Sequence, residues 1–439
     1  MTKSSGLYEK YPQENVQKKS KHLLGYGAKF APMVITKAKG SYMYAGERKI
    51  LDFTSGQMST LLGHGHPEIC ETISEHAYHL DHLFSGMLSP PVLELAEKLT
   101  GLLPKGLDRA MFLSTGSEAN EAAIKLAKVY TGRFEVVGLS LSWHGMTGVS
   151  GGTTYQDGRK NHGPSMPGNL VLPAPNAYRS IFRKQDGTYD WETEMDYGFS
   201  LIDAASVGSL AAVIVEPVMS SGGMIVLPDG YLKRLQMHCK KRGMLLIVDE
   251  AQTAIGRCGA MFGFEAYDVV PDILTLSKTL GNGLPLSAVV TSDEIAQKAA
   301  EERFLFYTTH VNDPLPCAVG SKVLDIVIRD NLVENSAKMG DLFRSELKKL
   351  QTKYKQIGDI RGRGLMTGVE IIKPETGEAD GELAGKLADR MMELGLSANL
   401  ISVPAFGGVF RIAPPVTISK AEIMQGVTIF NRSFEEFLG

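Results

Sequence analysis

From residue 61 onward, short apolar or β-branched runs alternate with longer amphipathic stretches. Runs at 110–113, 135–139, 211–215, 245–248, 273–276 and 286–291 read as strands, whereas 117–131 and 230–242 carry the 3.6-residue period of helices. Strands that are apolar on both faces, separated by helices, predict an α/β fold with a mostly parallel sheet covered by helices on both sides. Residues 1–60 form a lead-in, with a helix expected over 11–23 and strand-like pieces at 33–37 and 50–53. After residue 317 the pattern changes to long charged helices over 318–350, broken near Asp330, and then to a mixed strand–helix segment. Three segments follow: an N-terminal piece (1–60), a large domain (61–317) and a smaller C-terminal domain (318–439).

Composition narrows the function class. A chain of 439 residues with 43% hydrophobic and 22% charged positions is an ordinary globular protein of more than one core. Its net charge of −3 offers no basis for a nucleic-acid or anionic-membrane partner. The four cysteines, Cys70, Cys239, Cys258 and Cys317, form no C-x-x-C pair, so neither a disulfide framework nor a zinc site is expected. The polar first residues contain no apolar signal region, and no apolar run reaches the about 18 residues of a membrane helix. A cytoplasmic protein is expected.

The chemistry is concentrated at a few turns. Residues 248–252 (VDEAQ) place Asp249 at the end of an apolar run, and 275–283 (TLSKTLGNG) isolate Lys278 in a glycine-punctuated turn. An amine able to bond an aldehyde, paired with a carboxylate that keeps a pyridine nitrogen protonated, is what pyridoxal 5′-phosphate chemistry requires. Residues 113–120 (LSTGSEAN) pass from strand to helix, and Thr115, Gly116 and Ser117 suit a phosphate at a helix N-terminus or an ordinary N-cap. Trp143 in SWHG is one of two tryptophans and offers a flat indole, either as a core residue or as a stacking partner for a planar ring. Arg411, within GGVFRIAPP, is flanked by apolar residues and suits a substrate carboxylate or a buried ion pair. His64 and His66 in GHGHPE read as turn structure rather than metal ligands, and Arg361 and Arg363 in DIRGRG read as turn residues. No G-x-G-x-x-G follows the early strands, which speaks against a nicotinamide-binding enzyme.

Together SWHG, VDEAQT and TLSKTLGNGLPL resemble the class III aminotransferases, pyridoxal-phosphate enzymes of fold type I, over nearly the whole chain. DFTSGQMSTLLGHGHPE, HLFSGMLSPPV, FYTTHVNDPLP and GGVFRIAPP resemble the 2,2-dialkylglycine decarboxylases within them. The resemblance implies that Lys278 holds the cofactor and shuttles protons. It also implies that Asp249 faces the pyridine nitrogen, Gln252 the ring hydroxyl, and Trp143 and Ala251 the two ring faces. Gly116, Ser117 and, from a neighbouring subunit, Thr309 would hold the phosphate. Gln57, Ser221 and Arg411 would contact the substrate carboxylate, with Met146 lining the side-chain pocket. An alkali cation, potassium foremost, would be held by Leu83, Ser85, Thr309, Val311 and Asp313, all through oxygen. The implied enzyme is a homodimer or a dimer of dimers. It would release CO2 from a 2,2-dialkylglycine such as 2-aminoisobutyrate and pass the amino group to a 2-oxo acid such as pyruvate. An ordinary amino-acid or ω-transaminase is the competing expectation, with Gln57 the residue that separates them. The stretch 402–408 leaves side-chain size preference open, and a non-catalytic scaffold would need the Lys278, Asp249 and Trp143 set to be idle.

Overall fold

The computed structural model describes residue 8 and residues 16–27, 30–31, 33–156, 163–403 and 407–438. Its central sheet has seven strands in the order Arg109–Leu113, Ser287–Thr291, Ile273–Leu276, Leu245–Glu250, Leu210–Val215, Glu135–Leu139 and Asn169–Leu172. Ser287–Thr291 runs antiparallel to both neighbours, and the remaining pairings are parallel. Alternate residues of one strand feed opposite cores. Leu246 and Val248 pack in the larger cluster with Leu235 and Val323, while Leu245 and Ile247 pack with Ala119, Ala123 and Ile124 of the helix Gly116–Thr131. Burying each such aliphatic side chain is worth about 1.5–3 kcal/mol, which is why both sheet faces are covered and the strands read as continuously apolar.

Two smaller sheets unite the ends of the chain. Lys37–Lys39, Tyr42–Ala45 and Arg48–Asp52 form an antiparallel set, and Leu396–Ser397 joins it in parallel beside Arg48–Asp52. Ile357–Arg363, Met366–Ile371, Gly407–Ile412 and Asn399–Val403 make a second, wholly antiparallel sheet. The smaller α+β layer is thus built from both termini. The helix Pro314–Arg329 packs against the helices Pro67–His79 and Pro90–Leu102, and Leu332–Lys353, separated from it by a break at Asp330 and Asn331, packs against the strand Ile357–Arg363 and the helix Lys420–Leu438.

Three local expectations are revised. The first strand is Lys37–Lys39 rather than 33–37: it pairs in regular register with Tyr42–Ala45 across a turn at Gly40, whose φ is 57°. The expected helix over 11–23 is seen as Val16–Ser20, and its residues 11–15 lie outside the described residues. Arg361 and Arg363 sit on the strand Ile357–Arg363, not in a turn. Among the described residues, no helix is long and apolar enough to cross a membrane.

Candidate active site

Ligands of parallel-rich sheets bind beyond the carboxyl ends of the strands, and the chain places its unusual polar groups there. Asp249, near the end of Leu245–Glu250, is 3% exposed. Its Oδ2 accepts from Asn120 Nδ2 at 2.7 Å and pairs with His144 Nδ1 at 2.8 Å; its Oδ1 accepts from the Ala251 N–H at 3.0 Å. Thr275, beside Asp249 on the next strand, donates to Asn120 Oδ1 at 2.7 Å and fixes that amide's orientation. Burial by itself would raise the Asp249 pKa. The His144 hydrogen bond and charge, with the Ala251 and Asn120 donors, outweigh it and hold the carboxyl below its usual value. A buried anion therefore sits at the floor of the cleft.

Lys278 follows the strand Ile273–Leu276 and opens a short 3-10 turn with φ of 33°. A non-glycine residue in that region costs about 1–3 kcal/mol and persists only where its surroundings impose it. Burial lowers the Lys278 pKa, against the opposing pull of Asp249 and Glu216. Glu216, beyond the end of Leu210–Val215, is itself buried and pushed up to about 7 by desolvation, with Asp249 adding and His144 opposing. It accepts from the Trp143 N–H at 2.9 Å.

Two cavities share walls at Trp143 and Lys278. One, about 380 Å³, is lined by Thr115, Gly116, Ser117, Trp143, Asp249, Ala251 and Lys278, among others. It begins at the helix Gly116–Thr131, whose N-cap Thr115 and Glu118 form a reciprocal capping box. Ser117 Oγ accepts from the Met146 N–H at 3.1 Å, drawing the SWHG loop onto the helix start. Gly145 permits that approach: its φ is 129°, and a Cβ there would lie 2.1 Å from Ser117 Oγ. The second cavity, about 410 Å³, is lined by Gln57, Met58, Trp143, Gln156, Ser221, Gln252, Lys278, Ile401 and Arg411.

Gln57 lies on a contorted turn in which Ser55, Gly56 and Met58 all have positive φ (41°, 66° and 60°). Buried Asp52 clamps that turn, accepting from the Thr54 N–H at 2.9 Å and the Gly56 N–H at 2.9 Å. His64 Nε2 meets the same carboxylate at 2.8 Å, so this histidine is structural. Arg411, 7% exposed, donates to Ser221 Oγ at 3.0 Å; burial pushes its guanidinium pKa down to about 10, with Glu216 opposing.

Two buried atoms in this second cavity have no partner, Gln252 Oε1 and Arg411 Nε. An unpaired buried acceptor costs about 1–3 kcal/mol unless a ligand completes it. An unpaired acceptor on Gln252, a carboxylate floor, an indole wall and a helix N-terminus fit pyridoxal 5′-phosphate.

The remaining site candidates lie elsewhere. Met146 is 55% exposed and lines neither cavity. Thr309 is exposed and lines neither cavity of its own chain. The segment carrying Leu83 and Ser85 and the segment carrying Val311 and Asp313 are joined by the contact between His82 and Asp313. The two Asp313 oxygens bond His82 Nδ1 at 2.6 Å and His310 Nδ1 at 2.5 Å. Ser85 Oγ is buried without a partner. The residues 404–406, part of the stretch tied to side-chain preference, lie outside the described residues. Sequence reasoning passed over Asn120, Glu216 and Gln156. Glu216 had a signal, an acid just past an apolar strand as at Asp249; Asn120 and Gln156 had none.

The family model for aminotransferase class-III matches residues 26–434. The chain is 50% identical over 426 residues to an uncharacterized aminotransferase of Schizosaccharomyces pombe, covering 96% of this chain and 95% of that one. Its fold is similar to an (S)-enantioselective omega-transaminase from Thermomicrobium roseum, with a TM-score of 0.89 and 31% identity over 97% of this chain and 99% of the other. A Pseudomonas jessenii omega-transaminase in complex with PMP has the same TM-score of 0.89 at 26% identity, covering 96% of this chain and 97% of its own. With its lysine, carboxylate and indole converging at the strand ends of such a fold, the chain belongs to the class III aminotransferases, fold type I enzymes for which pyridoxal 5′-phosphate is the expected cofactor.

Proposed function

We propose that this aminotransferase acts on 2,2-dialkylglycines such as 2-aminoisobutyrate, releasing CO2 and a ketone and transferring the amino group to a 2-oxo acid such as pyruvate. The observation that carries the reading is the convergence of Gln57, Ser221 and Arg411 on one cavity that shares Trp143 and Lys278 with the cofactor cavity. When bound, pyridoxal 5′-phosphate supplies an electron-poor ring that stabilises negative charge at the substrate Cα.

The protein's residues do the rest. Lys278 offers an amine whose lowered pKa leaves more of it unprotonated at neutral pH, first to hold the cofactor and then to carry a proton to the reacting carbon. Asp249 would set a fixed negative charge against the ring nitrogen, and Gln252 would accept from the ring hydroxyl. Trp143 and Ala251 would enclose the ring, and Gly116 and Ser117 would hold the phosphate at the helix N-terminus. Arg411, steadied by Ser221, binds a substrate carboxylate. Gln57 would donate its amide N–H to the substrate carboxylate and so favour loss of CO2 over loss of a proton.

The same proposal includes a homodimer or dimer of dimers in which Thr309 reaches the neighbouring phosphate site. Exposed Tyr78, Phe84, Leu88, Leu305 and Tyr307 around the 78–88 and 303–313 segments suit a second copy as their cover. A potassium ion is proposed at Leu83, Ser85, Thr309, Val311 and Asp313.

A second reading, an ordinary transaminase that removes a proton instead of CO2, draws on the relatives named as aminotransferases and omega-transaminases. The test is product analysis with 2-aminoisobutyrate and pyruvate, with and without potassium. Equal yields of CO2, acetone and alanine are expected. Absence of CO2 while an α-hydrogen amine reacts freely gives the function to the second reading.

A further inference from the structure

Three antiparallel strands of the smaller sheet set Arg361, Gly368 and Arg411 side by side in one row: Arg361 is opposite Gly368, and Gly368 opposite Arg411. Directly opposed residues on neighbouring strands share a sheet face, so two guanidinium stems flank a gap one residue wide. The turn 220–224, between the paired segments Val218–Met219 and Ile225–Val226 of the large unit, fills that gap. A Cβ at Gly368 would lie 2.8 Å from Met224 Cβ and 3.0 Å from the Gly223 carbonyl oxygen. Arg361 Nε donates to the Gly223 carbonyl at 2.8 Å on one side, and Arg411 donates to Ser221 Oγ at 3.0 Å on the other.

Arg361 is anchored in turn. It donates to Asp359 Oδ2 and Glu370 Oε2, each at 2.7 Å, and fully buried Glu370 also accepts from Arg179 Nε at 2.7 Å. The turn has little slack of its own, since Gly223 and Met224 both donate to the Ser220 carbonyl, at 3.0 and 3.1 Å, and Met224 has φ of 58°.

We propose that Arg361 is a positioning residue for carboxylate recognition: by gripping Gly223 across the Gly368 gap it fixes Ser221, and through Ser221 the reach of Arg411 toward Lys278. The inference rests on Arg411 as the carboxylate contact. It makes this row, rather than the pocket wall, the device that sets where a substrate carboxylate is held relative to Lys278. Substrates of longer chain than an α-amino acid would gain from its loosening.

The test compares Arg361→Gln, Arg361→Lys, Gly368→Ala and Arg411→Lys in the cofactor-loaded enzyme, using single-turnover amine half-reactions read by absorbance. Donors are alanine, 4-aminobutyrate and 1-phenylethylamine, which has no carboxylate. Arg361→Gln is expected to weaken alanine binding about tenfold or more, the scale of one lost hydrogen bond with a charged donor. The rate at saturation should stay within about twofold, and 1-phenylethylamine should be unaffected. Gly368→Ala should act in the same direction, and Arg361→Lys should recover part of the loss. In an Arg411→Lys background, Arg361→Gln should add nothing, because both act through one contact. Equal losses with 1-phenylethylamine, or full additivity with Arg411→Lys, would overturn the proposal. If Arg411→Lys itself leaves alanine binding intact, the assignment of Arg411 fails instead; if Arg411→Lys weakens it and Arg361→Gln does not, only the positioning role fails.

Discussion

The two walls of the cleft are made differently. The cofactor wall comes from contiguous motifs at the ends of strands, and both oxygens of its carboxylate are engaged: Asp249 alone takes three hydrogen bonds, while His144 Nε2 is left buried without a partner. The substrate wall is assembled from three distant segments, around Gln57, Ser221 and Arg411, and keeps an unpartnered atom on Arg411. A finished wall holds what every turnover reuses. An unfinished one waits for a substrate to complete it, so it is where members of one fold diverge in specificity. Damage to the first wall should therefore cost all substrates alike, and damage to the second should separate them.

The largest expected effect is Lys278→Ala, which should lower turnover on the order of 10³–10⁴-fold with every amino donor and remove the borohydride-sensitive visible absorbance. Uniform loss supports the division between walls; a loss confined to one donor breaks it. Asp249→Asn comes next, expected to cost about 10²–10³-fold with all donors by removing the fixed charge at the ring nitrogen. Retained activity with any donor would show that this carboxylate is only structural. Gln57→Ala should leave cofactor binding unchanged and shift the ratio of CO2 release to proton removal about tenfold, the scale of one hydrogen bond made at the reacting centre. An unchanged ratio with lower overall rate removes Gln57 as the discriminating group.

The smallest effect sharpens the boundary between the walls at Glu216. Its folded pKa of about 7 lies above the ordinary carboxyl value near 4.3, so folding binds its proton more tightly than the unfolded chain does. Its stabilising contribution is complete below about pH 4 and is lost as pH rises through 7. Glu216→Gln should then gain roughly 1–2 °C in melting temperature at pH 8 over the parent chain, and none at pH 4. Asp52 and Asp249 have the opposite sign: their depressed pKa values stabilise the fold above about pH 4 and fail as acid protonates them. A gain for Glu216→Gln that does not vary with pH would mean that its burial, not its charge, is what the fold resists.

Much of the large unit was legible. Strands such as Ile273–Leu276 and Glu135–Leu139 are apolar on both faces, so composition alone marks them, and Lys278 and Asp249 stand out against that background. The antiparallel sheet of the C-terminal part was not, because strands such as Ile357–Arg363 carry polar residues and two glycines that mimic a turn. That is why Arg361 reads as punctuation in the sequence and emerges in the fold as a clamp on Gly223. Asn120 was equally hidden: a mid-helix asparagine has no meaning until Thr275 and Asp249 are brought against it.

The order of residues along the chain, by itself, determined the α/β class, the lysine and carboxylate pair and the indole, since each depends on local pattern and side-chain chemistry. Only the tertiary structure decided which distant turns meet at the second cavity, that Asp52 clamps the Gln57 turn, and that Arg411 stands beside Ser221. The Arg411–Ser221 contact spans 190 positions, and no local propensity encodes a pairing that exists only once two sheets have packed.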